Sequence, residues 1–333
     1  MSFEFIIYIL LMILSLNYIF FERKILSYIF IPAMILFLVV IRLSGFDVDI
    51  ETYAYEMKSL TMNGIYYQRE FIFWFGIKLL YYITNSEILT FILLDLFWIY
   101  ILYKISKNLS FESNNEFTGS ILLLLVITFP FVLGYENIYR QFYALIFCLW
   151  AYSIININYK KSIFIFFISV FIHNTAMILL PLFIAKKLFE LPIKYRIFAS
   201  VLVSFVFCFL FNIMVEYKSG HSTGINTSFL YILLYYLLFY ILYIKFKFSF
   251  VTLFKKIPVL IPILIMSSSL ITLKFDMLSE RIGMYFLIFL CYDLIKYSSN
   301  IQSYYRRTTF RFLLIAILSI PVLLFSSTRS FLL

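Results

Sequence analysis

The 333-residue chain is 64% hydrophobic and 13% charged, with a mean hydropathy of +0.98. A soluble globular chain averages about 45–50% apolar and about 25% charged residues, and no compact core of this length hides so much apolar surface. A soluble enzyme, a disordered chain and a nucleic-acid-binding domain are therefore excluded, and the net charge of +10 becomes a matter of loop topology and lipid headgroups. Cys148, Cys208 and Cys291 each lie in an apolar run, far from one another, so the spacing offers neither a disulfide framework nor a metal knuckle.

Runs long enough to cross a bilayer, which takes about 17–25 residues per helix, fall near 3–20, 28–44, 86–103, 119–134, 138–157, 197–215, 227–244, 257–274, 281–297 and 311–328. They predict an all-α polytopic membrane protein of about ten full transmembrane helices, folded as a single integral membrane domain over 1–333. The first run lacks a basic n-region and a small-x-small cleavage site, so it reads as a mature helix rather than a signal peptide. Residues 70–84 are short and carry Lys78, which suits a helix lying at the interface. Residues 162–185 form one run interrupted by His173-Asn174-Thr175.

Lys/Arg asymmetry sets the orientation. The connections 22–27, 104–118, 158–161, 186–196, 245–256 and 296–311 hold 18 of the 27 basic residues. All six face the cytoplasm if 70–84 does not cross and 162–185 goes in and comes back. This predicts a re-entrant hairpin or two half-helices over 162–185 with His173 near the turn, and both termini outside. Irregular backbone at membrane depth survives only where protein or a water-filled cavity covers it.

Polar groups beside apolar spans are costly and call for a reason. The orientation gathers Arg42, Asp47, Asp49, Tyr53, Glu56, Arg69, Glu70, Glu136, Arg140, His173, His221, Asp276, Glu280 and Arg281 on the outer face. Arg140 follows GYENIY at the start of a span; its guanidinium can grip a phosphate bidentately, or snorkel to the interface. His173 can act as a base near neutral pH or donate to a substrate oxygen, or simply link two helices. Asp47 and Asp49, two apart in a segment read as extended, point the same way; they suit hydroxyl binding, base chemistry or a metal, or they lie in a solvated loop where Asp49 or Thr52 caps a short helix. Glu70 is a second carboxylate for the base role, or a charge favoured at a helix start. Arg281 is an anion-binding candidate, or the ion-pair partner of Asp276 or Glu280. Asp95 and Asp293, inside spans, read as interhelical hydrogen-bonding groups. No phosphate-binding loop, dinucleotide fingerprint, zinc motif or nucleophile elbow is present, and no cofactor is expected.

Four stretches, in order, carry a family resemblance: FDVDIETYAYEM followed by REFIFWFGIKLL; NIYRQFYALIFCLWA, with Arg140 and Ala144; SVFIHNTAMILLPLF, with Phe171, His173, Thr175 and Ala176; and SERIGMYFLIFL, with Arg281 and Tyr285. Together they resemble the EpsG-like and Wzy-type polymerases of bacterial surface polysaccharides (O-antigen, capsule or exopolysaccharide). The loop at 216–226 is shorter than the large second-half loop such proteins often have.

The resemblance implies a glycosyltransferase of the bacterial cytoplasmic membrane with its site facing the periplasm or exterior. It would join undecaprenyl-diphosphate-linked oligosaccharide repeat units, releasing undecaprenyl diphosphate. His173, Asp49 and Glu70 are then the catalytic candidates. Arg140, Arg281, Asp47, Tyr53, Asn174, Glu136, Tyr139 and Tyr285 are the substrate-binding candidates. No metal ligand is assigned. The implied partners are the lipid-linked glycans, membrane lipids, a chain-length regulator and a flippase. An O-antigen ligase, a GT-C-type transferase using lipid-linked sugars, and a lipid-linked glycan flippase or transporter share parts of this charge logic. A transporter usually shows matching broken helices in two halves, whereas here one break stands alone.

Overall fold

The computed structural model describes residues 2–21, 25–46, 48–58, 70–187, 192–216, 227–270 and 276–324. Asp47, Arg69 and His221 lie outside the described residues, as do the side chains of Asp49, Asp276 and Glu280. Among the described residues the chain is helix and turn throughout, without a strand. It divides into two compact units, Met1–Ala176 with Ser298–Leu333, and Met177–Tyr297.

The first unit begins with a hairpin of α1 (Phe3–Phe21) and α2 (Ile25–Ser44), followed by the short α3 (Val48–Lys58). Then come α4 (Phe71–Thr84), α5 (Glu87–Ser113), α6 (Glu116–Leu123), α7 (Phe129–Glu136), α8 (Tyr139–Ile154) and α9 (Tyr159–Ile172). Turn chemistry fixes several joints. The Ser86 side chain accepts from the Leu89 N–H and starts α5. Asn114 then takes the left-handed conformation that ends α5, at φ 50°, and the Asn115 side chain accepts from the Thr118 N–H to start α6. Asparagine tolerates both tasks better than other non-glycine residues. That two-residue turn brings α6 hard against α5: a Cβ on Gly119 would meet the Ser106 carbonyl oxygen at 2.2 Å and Ser110 Oγ at 2.0 Å. Helix α8 is apolar on nearly every face and almost wholly buried, as an all-round hydrophobic helix must be; it packs against α5 and α9.

The second unit holds α10 (Leu180–Lys187), α11 (Ile193–Glu216), α12 (Thr227–Lys245), α13 (Phe250–Lys256), α14 (Leu260–Leu270) and α15 (Asp276–Ser298), whose last residue begins the return to the first unit. Lys247 and Phe248, at φ 53° and 59°, turn the chain by 113° between Tyr231–Lys245 and Phe250–Lys256. Gly283 lets α15 approach α12, where the Tyr235 hydroxyl donates to the Gly283 carbonyl at 2.5 Å. The last helix, α16 (Tyr304–Leu324), belongs to the first unit and packs on α1 and α7.

Each run read from the sequence contains a helix, but the count of about ten full spans is not confirmed. Among the described residues three helices, α1, α5 and α16, are long and apolar enough to cross a membrane, or five spans if each of two bent pairs counts once. Hydropathy does not register helix breaks, and here breaks divide the apolar runs. The run 119–134 is one case: a 3-10 stretch, Leu124–Ile127, separates α6 from α7, and Glu116–Ile127 meets Phe129–Glu136 at 56°. Pro130 lies in the first turn of α7, where its missing N–H costs nothing but where it cannot continue the helix before it.

Residues 70–84 form the 14-residue α4, with Phe73, Trp74 and Ile77 buried. Residues 162–185 comprise most of α9, an extended His173, a 3-10 stretch Asn174–Leu179 and the start of α10. The segment around Asp49 differs from its reading as extended: Val48–Lys58 is helical. Its Ala, Met, Glu and Lys content favours helix, and the acidic residues at its start suit that end of a helix.

Candidate active site

Three helix ends place three buried ionisable side chains together in the first unit. Glu70 is the N-cap residue of α4, Arg140 is the second residue of α8, and His173 ends α9 in an extended conformation, with φ −157° and ψ 129°. Arg140 Nη1 lies 2.8 Å from Glu70 Oε2, and Glu70 Oε1 lies 3.5 Å from His173 Nε2. The Thr175 N–H donates to His173 Nδ1 at 3.2 Å, and the Thr175 hydroxyl is 2.8 Å from the same nitrogen. An acceptor at Nδ1 puts the proton of the neutral ring on Nε2, the nitrogen that faces Glu70.

Aromatic rings wall this cluster. The Arg140 guanidinium lies 5.8 Å from the Tyr53 ring and 5.4 Å from the Trp74 ring, within cation–π range. Tyr53 in turn makes edge contacts with Phe73 and Trp74. The spacing of Phe73, Trp74 and Ile77 on α4 gives one buried face, and that face carries the ring that touches Arg140.

A second charged cluster lies beside the first. Arg42, near the end of α2, is fully buried: its Nε is 2.7 Å from Asp95 Oδ2, its Nη2 donates to the Tyr135 carbonyl at 2.8 Å, and its Nη1 is 3.7 Å from Glu136. Asp95 also accepts from Trp98 Nε1 at 2.9 Å and from the Tyr139 hydroxyl at 2.8 Å. The Tyr139 ring lies 5.3 Å from the guanidinium. The cluster therefore ties α2 and α5 to both sides of the turn between α7 and α8, the turn that launches Arg140.

Of the residues singled out from the sequence, Glu70, Arg140, His173 and Tyr53 thus meet in one cluster. Glu136 and Tyr139 face Arg42 and Asp95 instead. Asn174 begins the 3-10 stretch and is exposed. Asp49 is in the first turn of α3. Arg281, half-buried, and Tyr285, buried, lie on α15 in the second unit. Trp74 and the Arg42–Asp95 pair were not assigned to the site. A signal existed for the pair: a carboxylate in the middle of a 27-residue apolar helix and an arginine closing another apolar helix each need an opposite charge. Among the described residues no three His, Cys, Asp or Glu side chains are placed to hold a metal ion.

The model of the EpsG family matches residues 25–332. The chain belongs to the EpsG family. Neither a curated protein nor a solved structure matches it. Membership of the EpsG family points to a polymerase of polysaccharide biosynthesis, and the long apolar helices fit a membrane protein. In this EpsG-family chain the matched region contains the whole Glu70–Arg140–His173 cluster and the Arg42–Asp95 pair that adjoins it.

Proposed function

We propose that the protein polymerises undecaprenyl-diphosphate-linked oligosaccharide repeat units at the outer face of the cytoplasmic membrane. The reading rests on one observation above the others: a buried arginine, carboxylate and imidazole brought together by the ends of three helices. Transfer from a lipid diphosphate needs a cation for the departing diphosphate and a base for the acceptor hydroxyl, held in register. Arg140 takes the first role and Glu70 the second. His173 positions Glu70 through its Nε2–H, since its Nδ1 is already engaged by Thr175. Tyr53 and Trp74 offer aromatic faces beside the cation, and Arg281 keeps the anion-binding role that its motif implies.

The acceptor is the terminal sugar of a lipid-linked repeat unit. Its hydroxyl oxygen bonds to the anomeric carbon of the donor glycan while its proton passes to the base. The bond from that carbon to the phosphate oxygen breaks, and the electron pair leaves with undecaprenyl diphosphate.

The test is reconstitution. Purified protein in vesicles, supplied with a lipid-linked repeat unit, should yield a ladder of repeat multiples. Transfer of preformed chains to a different acceptor, without a ladder, would instead favour a ligase; movement of the lipid across the bilayer without new bonds would favour a flippase.

A further inference from the structure

Glu70 stands at the N-cap of α4, where a carboxylate can close on first-turn N–H groups. Its side chain makes no such bond. It reaches instead to two other helices, with Oε2 at 2.8 Å from Arg140 Nη1 and Oε1 at 3.5 Å from His173 Nε2. All three side chains are buried, and the guanidinium has Tyr53 and Trp74 rings beside it. A carboxylate and a phosphate make the same demand on such a guanidinium, a charge-assisted pair with its fork of donors. Holding both anions on one buried cation would leave a net negative charge away from water, which is costly.

We infer that Glu70 is a built-in stand-in for the phosphate of the substrate: it occupies Arg140 until a phosphate-bearing ligand displaces it, and the displacement delivers it as the base. The identity of the ligand as a lipid diphosphate rests on the function proposed above; the exchange itself requires only a phosphate. His173 supplies the place to which Glu70 withdraws. Its Nε2 lies 3.5 Å from Glu70 Oε1 and its Nδ1 is held by Thr175, so Glu70 can give up Arg140 and close onto the imidazole N–H. A carboxylate that loses a neighbouring cation becomes more basic. Glu70 then takes the acceptor hydroxyl's proton as the new glycosidic bond forms, and the diphosphate leaves with its electron pair on Arg140. Base and donor are thereby coupled: the carboxylate is tied up until the diphosphate is seated.

The experiment measures binding of inorganic pyrophosphate to the purified full-length protein by calorimetry, beside the polymerisation assay. Removing the competing carboxylate in Glu70→Gln should tighten pyrophosphate binding by at least about tenfold while turnover falls at least a hundredfold, about the contribution of a positioned base. Arg140→Ala should lose binding, and Glu70→Gln should give no gain in the Arg140→Ala background. Glu70→Asp, which keeps the charge but draws it back by one methylene, should also bind pyrophosphate several-fold tighter while retaining part of the turnover, and it serves if Glu70→Gln fails to accumulate. Unchanged or weaker pyrophosphate binding in both Glu70 variants would overturn the inference, even if the wild-type protein polymerises repeat units. Tighter binding in both, from a protein that forms no ladder, would uphold the exchange and sink the polymerase reading alone.

Discussion

Arg42 on α2 meets Asp95 on α5 at 2.7 Å, with both side chains inside the protein. Through the Tyr135 carbonyl on one side and the Tyr139 hydroxyl on the other, this one pair holds the turn from which Arg140 emerges. Breaking a buried pair by removing one partner strands the other charge and costs about 3–5 kcal/mol, whereas replacing both by apolar groups is often nearly neutral. Arg42→Met and Asp95→Leu should each lower the thermal unfolding temperature in detergent sharply. The double variant should be more stable than either single one. Simple addition of the two losses would show that the charges are not coupled.

Tyr139 separates support from substrate contact. Its hydroxyl donates to Asp95, so Tyr139→Phe should remove about 1 kcal/mol of stability and leave the KM for the lipid-linked repeat unit unchanged. A raised KM at unchanged stability would return Tyr139 to the substrate.

Arg140 acts through the geometry of its fork. A charge-assisted buried contact is worth about 1.5–3 kcal/mol, or roughly ten- to a hundredfold. Lysine supplies a point charge and cannot reproduce the bidentate grip. Arg140→Lys should therefore impair polymerisation nearly as much as Arg140→Ala, with normal accumulation in the membrane. A lysine variant of near-normal chain length would mean that charge alone suffices.

His173 is expected to serve as a hydrogen-bond donor to Glu70 rather than as the base. Losing a donor to a charged group should cost His173→Ala roughly ten- to a hundredfold in rate. His173→Gln retains an N–H donor and should stay within several-fold of the wild type. If glutamine proves as damaging as alanine, the imidazole itself carries the proton.

Gly119 tests the scaffold apart from the chemistry. A valine there would push branched carbon atoms into the Ser106 carbonyl, which an added Cβ already meets at 2.2 Å. Overpacking of this kind costs about 1–3 kcal/mol, because backbone cannot step aside as a flexible side chain can. Gly119→Val should lower the unfolding temperature, and the protein that remains folded should bind pyrophosphate normally. An unfolding temperature equal to wild type would mean that α5 and α6 are not in such close contact.

The sequence made the helical class plain, because apolar runs of this length permit little else in a bilayer. It also marked Glu70 and Arg140, at the starts of apolar runs, and His173, inside one, since ionisable groups in such places are conspicuous. Their mutual distances were not legible: nothing in the chain order tells that the starts of α4 and α8 meet the end of α9. The partnership of Arg42 with Asp95 stayed hidden for the same reason, as pairing depends on which faces two distant helices turn to each other. The helical form of Val48–Lys58 was masked by its alternating acidic residues, which suit a helix start as well as a loop. The interruption at Leu124–Ile127 was invisible to hydropathy, which scores every residue there as apolar.

The helices that frame the cluster also run in a definite electrical sense. Helix α8 begins at Tyr139, one residue before Arg140, with no side chain capping it at Ile138, so the positive end of its peptide dipoles adds to the guanidinium. Helix α9 finishes at His173 and brings the negative end of its own dipoles to the imidazole. The two helix ends therefore set a potential drop across the cluster. A bound molecule with one anionic and one neutral end would be turned by it, its phosphates toward the start of α8 and its sugars toward the end of α9, before any side chain had closed around it.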